Sequence, residues 1–261
     1  MKITFLNIWG GTIYEPLMAF LREQAPTTDF FCLQEVFDSP ESRTVSWRGH
    51  TNTLALLRNI LPAFAYFYAP VQEGHDGNVP LDFPVSQGIA LFVRKDIAPD
   101  AVGDIVIHGE KNGMAPSDLT SYPCNLQYIR FQHGQRGYTL AHVHGTAHPG
   151  SKRDTPERIA QSQKVIDFLA RKKGEKILGG DFNLLPDTES IHMIERMGMR
   201  NLITEYGITT TRNAFSYGQY SEHDRQYFAD YAFVSPGVPV QSFVVPHIEV
   251  SDHLPLILEF A

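Results

Sequence analysis

The chain reads as an α/β protein in which two β-sheets pack together and helices cover the outside. Three observations point there. Strand-like and helix-like segments alternate from end to end, strands outnumber long helices, and no shift in composition marks a linker along the 261 residues. One domain spanning 1–261 is therefore expected. With 43% hydrophobic and 11% aromatic residues the chain can bury a sizeable core, which excludes disorder as its main state.

The elements follow in order. Residues 3–8 form an apolar run that predicts a strand, and 15–23 predict a helix with Pro16 in its first turn, where a missing amide hydrogen is harmless. Residues 29–36 predict a second buried strand, 53–61 a helix ending before Pro62, and 64–68 an aromatic strand. Gly74, Gly77, Pro80 and Pro84 make 70–86 a loop, with a lid over a site as one role. Residues 88–94 read as a strand and 109–123 as irregular, before a hairpin of strands 126–131 and 138–143 joined at 133–137. Asp154, Thr155 and Pro156 are start signals for a helix with Ile159, Val165, Ile166, Leu169 and Ala170 at helical spacing. A short strand at 176–180, a helix at 188–197 and strands at 230–234, 240–245 and 254–260 complete the chain.

Charge and cysteine content narrow the function. The 22 Lys and Arg against 29 Asp and Glu leave a net charge of −7, which disfavours tight sequence-independent binding to nucleic acid unless basic groups are local. Cys32 and Cys124 cannot make a disulfide framework and have no zinc-like spacing. The apolar run at the N-terminus is shorter than a signal-peptide core, and no stretch approaches 18 apolar residues. The expectation is a cytoplasmic protein without membrane insertion and without an obligate protein partner.

Polar residues interrupt the strongest strands. Asn7 lies in the first; Gln34 and Glu35 end the second; Asp181 and Asn183 follow Ile177-Leu178-Gly179-Gly180; Asp230 opens Tyr231-Ala232-Phe233-Val234; Asp252 and His253 precede the last strand. Each is costly in a core without a partner or an ion. Singly, Asn7 and Asp230 read as satisfied hydrogen-bonding residues, Glu35 stands even, and Asp181 has a turn cap as its alternative. Five interruptions together predict one shared site. If the chain stays extended past Gly180, Asp181 and Asn183 leave one face toward a single point. Carboxylates and an amide oxygen are hard ligands that suit Mg2+, or Mn2+ in its place, and Mg2+ with few carboxylates points to phosphoester chemistry.

The ordered set Leu-Asn-Ile-Trp-Gly at 6–10, Leu-Gln-Glu at 33–35, Gly-Asp-Phe-Asn at 180–183, Asp-Tyr-Ala-Phe-Val at 230–234 and Ser-Asp-His at 251–253 resembles the endonuclease/exonuclease/phosphatase superfamily over nearly the whole chain. The resemblance implies a four-layer α/β sandwich of two packed mixed β-sheets flanked by helices. It implies that Glu35 holds the divalent metal with Asn7 beside it and Asp252 nearby, that Asp181 orients or deprotonates the attacking water, and that Asn183 binds the phosphate. His253 would contact the scissile phosphate, with Asp230 holding its orientation. Residues 138–145 resemble the strand carrying the other phosphate-contacting histidine, with His144 first and His142, on the same face, second. Arg158 and Gln161 match an Arg-x-x-Gln pattern, with Arg158 reading equally as a substrate contact and as a helix-surface charge. His75, His108, His133, His148, His192, His223 and His247 read as surface or loop residues.

The expected reaction is in-line attack of water on a phosphate ester. A nucleic-acid phosphodiester is the leading substrate, with Lys152, Arg153 and Arg158 as a local basic rim and Tyr217, Tyr220 and Tyr227 as stacking platforms. The Asn-Ile-Trp-Gly opening also resembles neutral sphingomyelinases, which keeps a phospholipid or small phosphoester open. A non-catalytic binding module on the same fold is the reading of another class.

Overall fold

Strand β1 (Lys2–Asn7) leads through a single 3-10 turn into helix α1 (Tyr14–Gln24), whose Leu17, Met18, Phe20 and Leu21 are buried on one face. That face packs with Leu54 and Leu57 of α2 (Thr53–Ile60) against Leu6, Phe31 and Leu33, the last two on β2 (Phe30–Asp38). A computed structural model describes residues 1–45, 49–77, 79–115, 118–218, 221 and 225–261. Beyond α2 come β3 (Phe64–Glu73), the short pair β4 (His75–Asp76) and β5 (Val79–Pro80), and β6 (Ser86–Arg94). Next are β7 (Pro99–His108), β8 (Cys124–His133) and β9 (Arg136–His144). Helix α3 (Pro156–Ala170) starts with Thr155 accepting from the Arg158 backbone N–H and with proline in the first turn. The remainder is β10 (Glu175–Asp181), α4 (Glu189–Arg196), β11 (Arg200–Asn201), α5 (Leu202–Glu205), α6 (Ala214–Tyr217), β12 (Asp230–Val234), β13 (Val240–Val244) and β14 (Leu256–Phe260).

The strands form two six-stranded mixed sheets, ordered β13-β14-β1-β2-β6-β3 and β11-β12-β10-β9-β8-β7. Each has one parallel pair near its middle, β1 with β2 and β9 with β10, and the remaining pairs are antiparallel. Phe5, Phe30, Leu91 and Leu258 from the first sheet meet Leu126, Leu140, Ile177 and Phe233 from the second in one buried cluster. Alternation on β9 aims Tyr138 and His142 at the first sheet, where they meet Phe260 and Gln34. Helices α1 and α2 cover the outside of the first sheet, while Phe168 of α3 packs on Tyr128 of β8 outside the second. The expected four-layer sandwich is therefore the fold. Gly179 has a specific reason to be glycine: a Cβ there would lie 2.7 Å from the Phe5 ring across the interface.

The structure departs from the expectations in places with identifiable causes. Residues 70–86 are only partly a loop, because β3 continues to Glu73 with Val71 and Gln72 buried, and Val85 packs with Phe37 and Val45. Strand β7 escapes a pattern search because Pro99, Asp100, Gly103 and Asp104 interrupt it. It is an edge strand paired with β8 alone, where prolines and charges are tolerated. The last strand starts at Leu256 rather than 254, since Pro255 has no amide hydrogen to give a ladder. Among the described residues, no helix is long and apolar enough to cross a membrane.

Candidate active site

The two central parallel pairs end side by side, and their last polar residues meet. Asn7 closes β1 opposite Gln34 of β2, and Asp181 closes β10 opposite both His144 of β9 and Asp230 of β12. Asn7 Nδ2 donates to Glu35 Oε1 at 2.9 Å and to Asp181 Oδ2 at 3.0 Å, so a single amide joins carboxylates from opposite sheets. The Trp9 backbone N–H donates to Asn7 Oδ1 at 3.0 Å, which fixes the amide's orientation. In this arrangement Asn7 spaces the carboxylates and turns its nitrogen, not its oxygen, toward them.

His144 Nε2 lies 3.6 Å from Glu35 Oε1 and 3.8 Å from Asp181 Oδ2. On the far side of Asp181, His253 Nε2 stands 3.7 Å from Oδ2, and its Nδ1 is 2.8 Å from Asp230 Oδ2. Asp252 is held by Arg212 at 3.1 Å, with its other oxygen 3.8 Å from His253 Nε2. Two groups of ligand atoms are thus close enough to share an ion: Glu35, His144 and Asp181, and Asp181, Asp230 and His253.

Backbone conformation concentrates here as well. Among the described residues, Trp9, Glu35, Lys152 and Asn183 are four of the five non-glycine residues with positive φ. Such conformations cost of order 1 kcal/mol each and persist where the surroundings enforce them. At Glu35 the cause is a bulge, since the register between β2 and β6 shifts between Leu33 and Val36 and turns the carboxylate toward β1. Asn183 is not extended, contrary to the expectation. Its backbone N–H donates to Asp181 Oδ1 at 2.9 Å, its Nδ2 donates to Gly145 O at 3.0 Å, and its Oδ1 accepts from the Lys152 ammonium.

Burial and charge set the protonation states. Burial pushes Glu35 up, with the imidazole of His144 acting against it. Burial acts in the same direction on Asp181, but His253 and His144 outweigh it and hold Asp181 below the usual carboxylate range. For His253 burial works against the charged ring; Asp230 and Asp252 outweigh it and raise the imidazole to about 9. A charged His253 against ionised Asp181 and Asp230 is the neutral-pH arrangement.

Other candidates fall elsewhere. His142 shares a face with His144 but is 1% exposed, with Nδ1 3.0 Å from Gln34 Nε2 and Nε2 2.9 Å from Gln127 Oε1. It ties the two sheets together and does not reach the cleft, which corrects its reading as a substrate contact. Arg158 is also fully buried, and its guanidinium donates to the carbonyls of Thr146, Ala147, Pro149 and Arg153. It shapes the 146–153 loop and is neither a substrate contact nor a surface charge. Gln161 serves the same loop by accepting from the Thr146 N–H at 3.0 Å. Tyr220 and His223 lie outside the described residues.

The sequence underrated two cations. Lys152, expected on a rim, is 7% exposed and borders a cavity of about 300 Å³ together with Trp9, Arg212, Phe215, Tyr217 and Asp252. Arg212 carried no local signal, since an arginine between threonine and asparagine matches no motif; its place follows from a bridge to His253. A second cavity of about 230 Å³ beside Glu35 and His144 is lined by Gln87, Leu119, Tyr122 and Cys124, and the two share Ala147 and His148.

Comparison with known proteins agrees with the fold. The fold covers all of the chain in each of three solved structures. They are mannosyl-6-phosphatase Bt3783 of Bacteroides thetaiotaomicron (18% identity, 99% of that chain, TM-score 0.69), an endonuclease/exonuclease/phosphatase protein of Beutenbergia cavernae (19%, 71%, 0.76) and D. rerio TDP2 complexed with a single-strand DNA product (15%, 98%, 0.66). No curated protein matches the chain significantly. The pattern of the Endonuclease/Exonuclease/phosphatase family matches residues 5–253, and the chain belongs to that family of phosphoester hydrolases.

Proposed function

We propose that the protein hydrolyses a phosphoester with Mg2+ bound between Glu35 and Asp181, Mn2+ substituting. The observation that carries this reading is the meeting of two carboxylates from opposite sheets on one amide, with imidazoles on either side. The donor set fits the ion: Glu35 Oε1 and Asp181 Oδ2 are hard oxygens, and no thiol takes part. Asp252 lies beside this pair rather than in it, held by Arg212, and acts on Glu35 through its charge. Glu35 and Asp181 would hold the ion, which would supply charge neutralisation for the phosphate and the leaving oxygen.

The remaining chemistry belongs to the chain. Asp181 is ionised and takes a proton from the attacking water as the new O–P bond forms and the bond to the leaving oxygen breaks; solvent protonates the leaving group. The His253 imidazolium, kept charged and oriented by Asp230, donates to an equatorial phosphate oxygen. Asn183 uses one amide hydrogen on Gly145 and has the other for the phosphate, and His144 braces the opposite side.

A compact phosphoester fits this cleft better than a nucleic-acid strand. Of the expected basic rim, Lys152 and Arg158 are buried, and the exposed Arg153 is paired with Asp187 at 2.5 Å. Tyr217 and Tyr227 pack on each other, with ring centroids 5.2 Å apart. The buried free thiols of Cys32 and Cys124 suit a reducing cytoplasm. The test is a Mg2+-dependent screen on DNA, RNA, sphingomyelin and small phosphoesters, with Asp181→Ala and His253→Ala as controls. Each substitution is expected to lower turnover roughly 100-fold or more with the circular dichroism unchanged. Near-normal turnover in both variants refutes the mechanism.

A further inference from the structure

Among the described residues, Lys152 has no carboxylate paired with it. The Lys152 ammonium donates to Asn183 Oδ1 and, at 3.4 Å, to the Ala147 carbonyl; among the described residues no carboxylate lies within ion-pair distance of it. A buried cation without an anion is costly unless a ligand supplies the charge. Arg212 faces the same cavity, is paired with Asp252 and, among the described residues, has a buried Nε donor without a partner. The charges of both residues reach Asp181, and Lys152 touches Asn183, which the reaction assigns to the phosphate. On one side of the phosphate position two cations therefore stand together, and among the described residues Asp252 is the one carboxylate within ion-pair distance of either.

The cavity is also small. Gln226 Nε2 donates to Gly150 O at 2.8 Å and links the 146–153 loop to the segment after residue 224. Its space of about 300 Å³ has the scale of a small-ligand pocket.

We propose that Lys152 and Arg212 read the second negative charge of the phosphate, so that the protein acts on compact phosphomonoesters in preference to diesters. A monoester carries close to two negative charges at neutral pH and a diester only one. Its third terminal oxygen is the atom that Lys152 and Arg212 bind, while the ester oxygen leaves in line with the attacking water. This rests on the hydrolase reading above, because it assigns the same phosphate position.

The test compares two substrates with one leaving group, 4-nitrophenyl phosphate and methyl 4-nitrophenyl phosphate, on the Mg2+-loaded protein. Lys152→Met is expected to lower kcat/KM for the monoester about 30-fold more than for the methyl ester, the scale set by truncating a buried charge contact. Lys152→Arg, which keeps the charge, retains most of the discrimination. Calorimetric titration with inorganic phosphate gives a readout independent of turnover: binding weakens about tenfold or more in Lys152→Met. If that variant does not fold, Arg212→Gln carries the same comparison. Parallel losses on both substrates, or unaltered phosphate binding, overturn the proposal. Hydrolysis of neither substrate by the unaltered protein with Mg2+ or Mn2+ instead overturns the hydrolase reading, and phosphate binding then tests the cationic wall alone.

Discussion

Replacing His142 by leucine separates a sheet-joining histidine from a substrate-binding one. Burial pushes this ring down to about 3 from an ordinary value of 6.5. The neutral ring with its hydrogen on Nε2 satisfies both neighbours, donating to Gln127 Oε1 and accepting from Gln34 Nε2. Leucine leaves those two buried groups without that partner, at a cost of about 2–4 kcal/mol. It also removes a titration. The folded-state value is depressed, so the unfolded chain binds more protons between pH 6.5 and 3. The stability from the neutral ring is fully present above 6.5 and is lost as pH falls. From pH 7 to pH 5 that loss is about 2 kcal/mol, at roughly 1.4 kcal/mol per pH unit below 6.5. Urea unfolding followed by circular dichroism at pH 7 and pH 5 measures both effects. His142→Leu is expected to be less stable at pH 7 and to lose about 2 kcal/mol less than the unaltered protein on acidification. Equal acid sensitivity in the two proteins, or lost turnover at unchanged stability, refutes this reasoning.

Two further outcomes follow from neighbouring residues. Because Asp230 and Asp252 hold the His253 value up to about 9, kcat/KM falls as pH rises through about 9. Asp230→Asn moves that limb to lower pH, and an unmoved limb in the pH–rate profile contradicts the assignment. Arg158→Ala frees four loop carbonyls, so limited trypsin digestion is expected to cut after Lys152 or Arg153 several times faster than in the unaltered protein. Unchanged cleavage there means that the loop holds itself.

The parts of the molecule legible in the sequence are those whose cause is local. Apolar runs marked the inner strands, and Asn7, Glu35, Asp181, Asp230 and His253 stood out because each interrupts such a run. Their convergence is geometric: β1 and β10 are far apart in sequence but end at the same level of facing sheets, where Asn7 reaches Asp181. Depth was not legible. His142 and His144 lie two positions apart on one face, yet the first sits between the sheets and the second at the cleft, a difference set by where β9 ends. From sequence Arg158 reads equally as a substrate contact and as a helix-surface charge; the loop that wraps it is visible only in three dimensions. Lys152 reads from sequence as part of a basic rim, whereas its backbone is left-handed and its ammonium lies inward on Asn183.

The central claim is that carboxylates from two sheets hold one hard cation. A Mn2+-soaked crystal measured at the manganese edge tests this most directly. A single anomalous peak between Glu35 and Asp181, abolished by Glu35→Gln, is the predicted result. A peak confined to Asp230 and His253, or none at saturating Mn2+, contradicts the account.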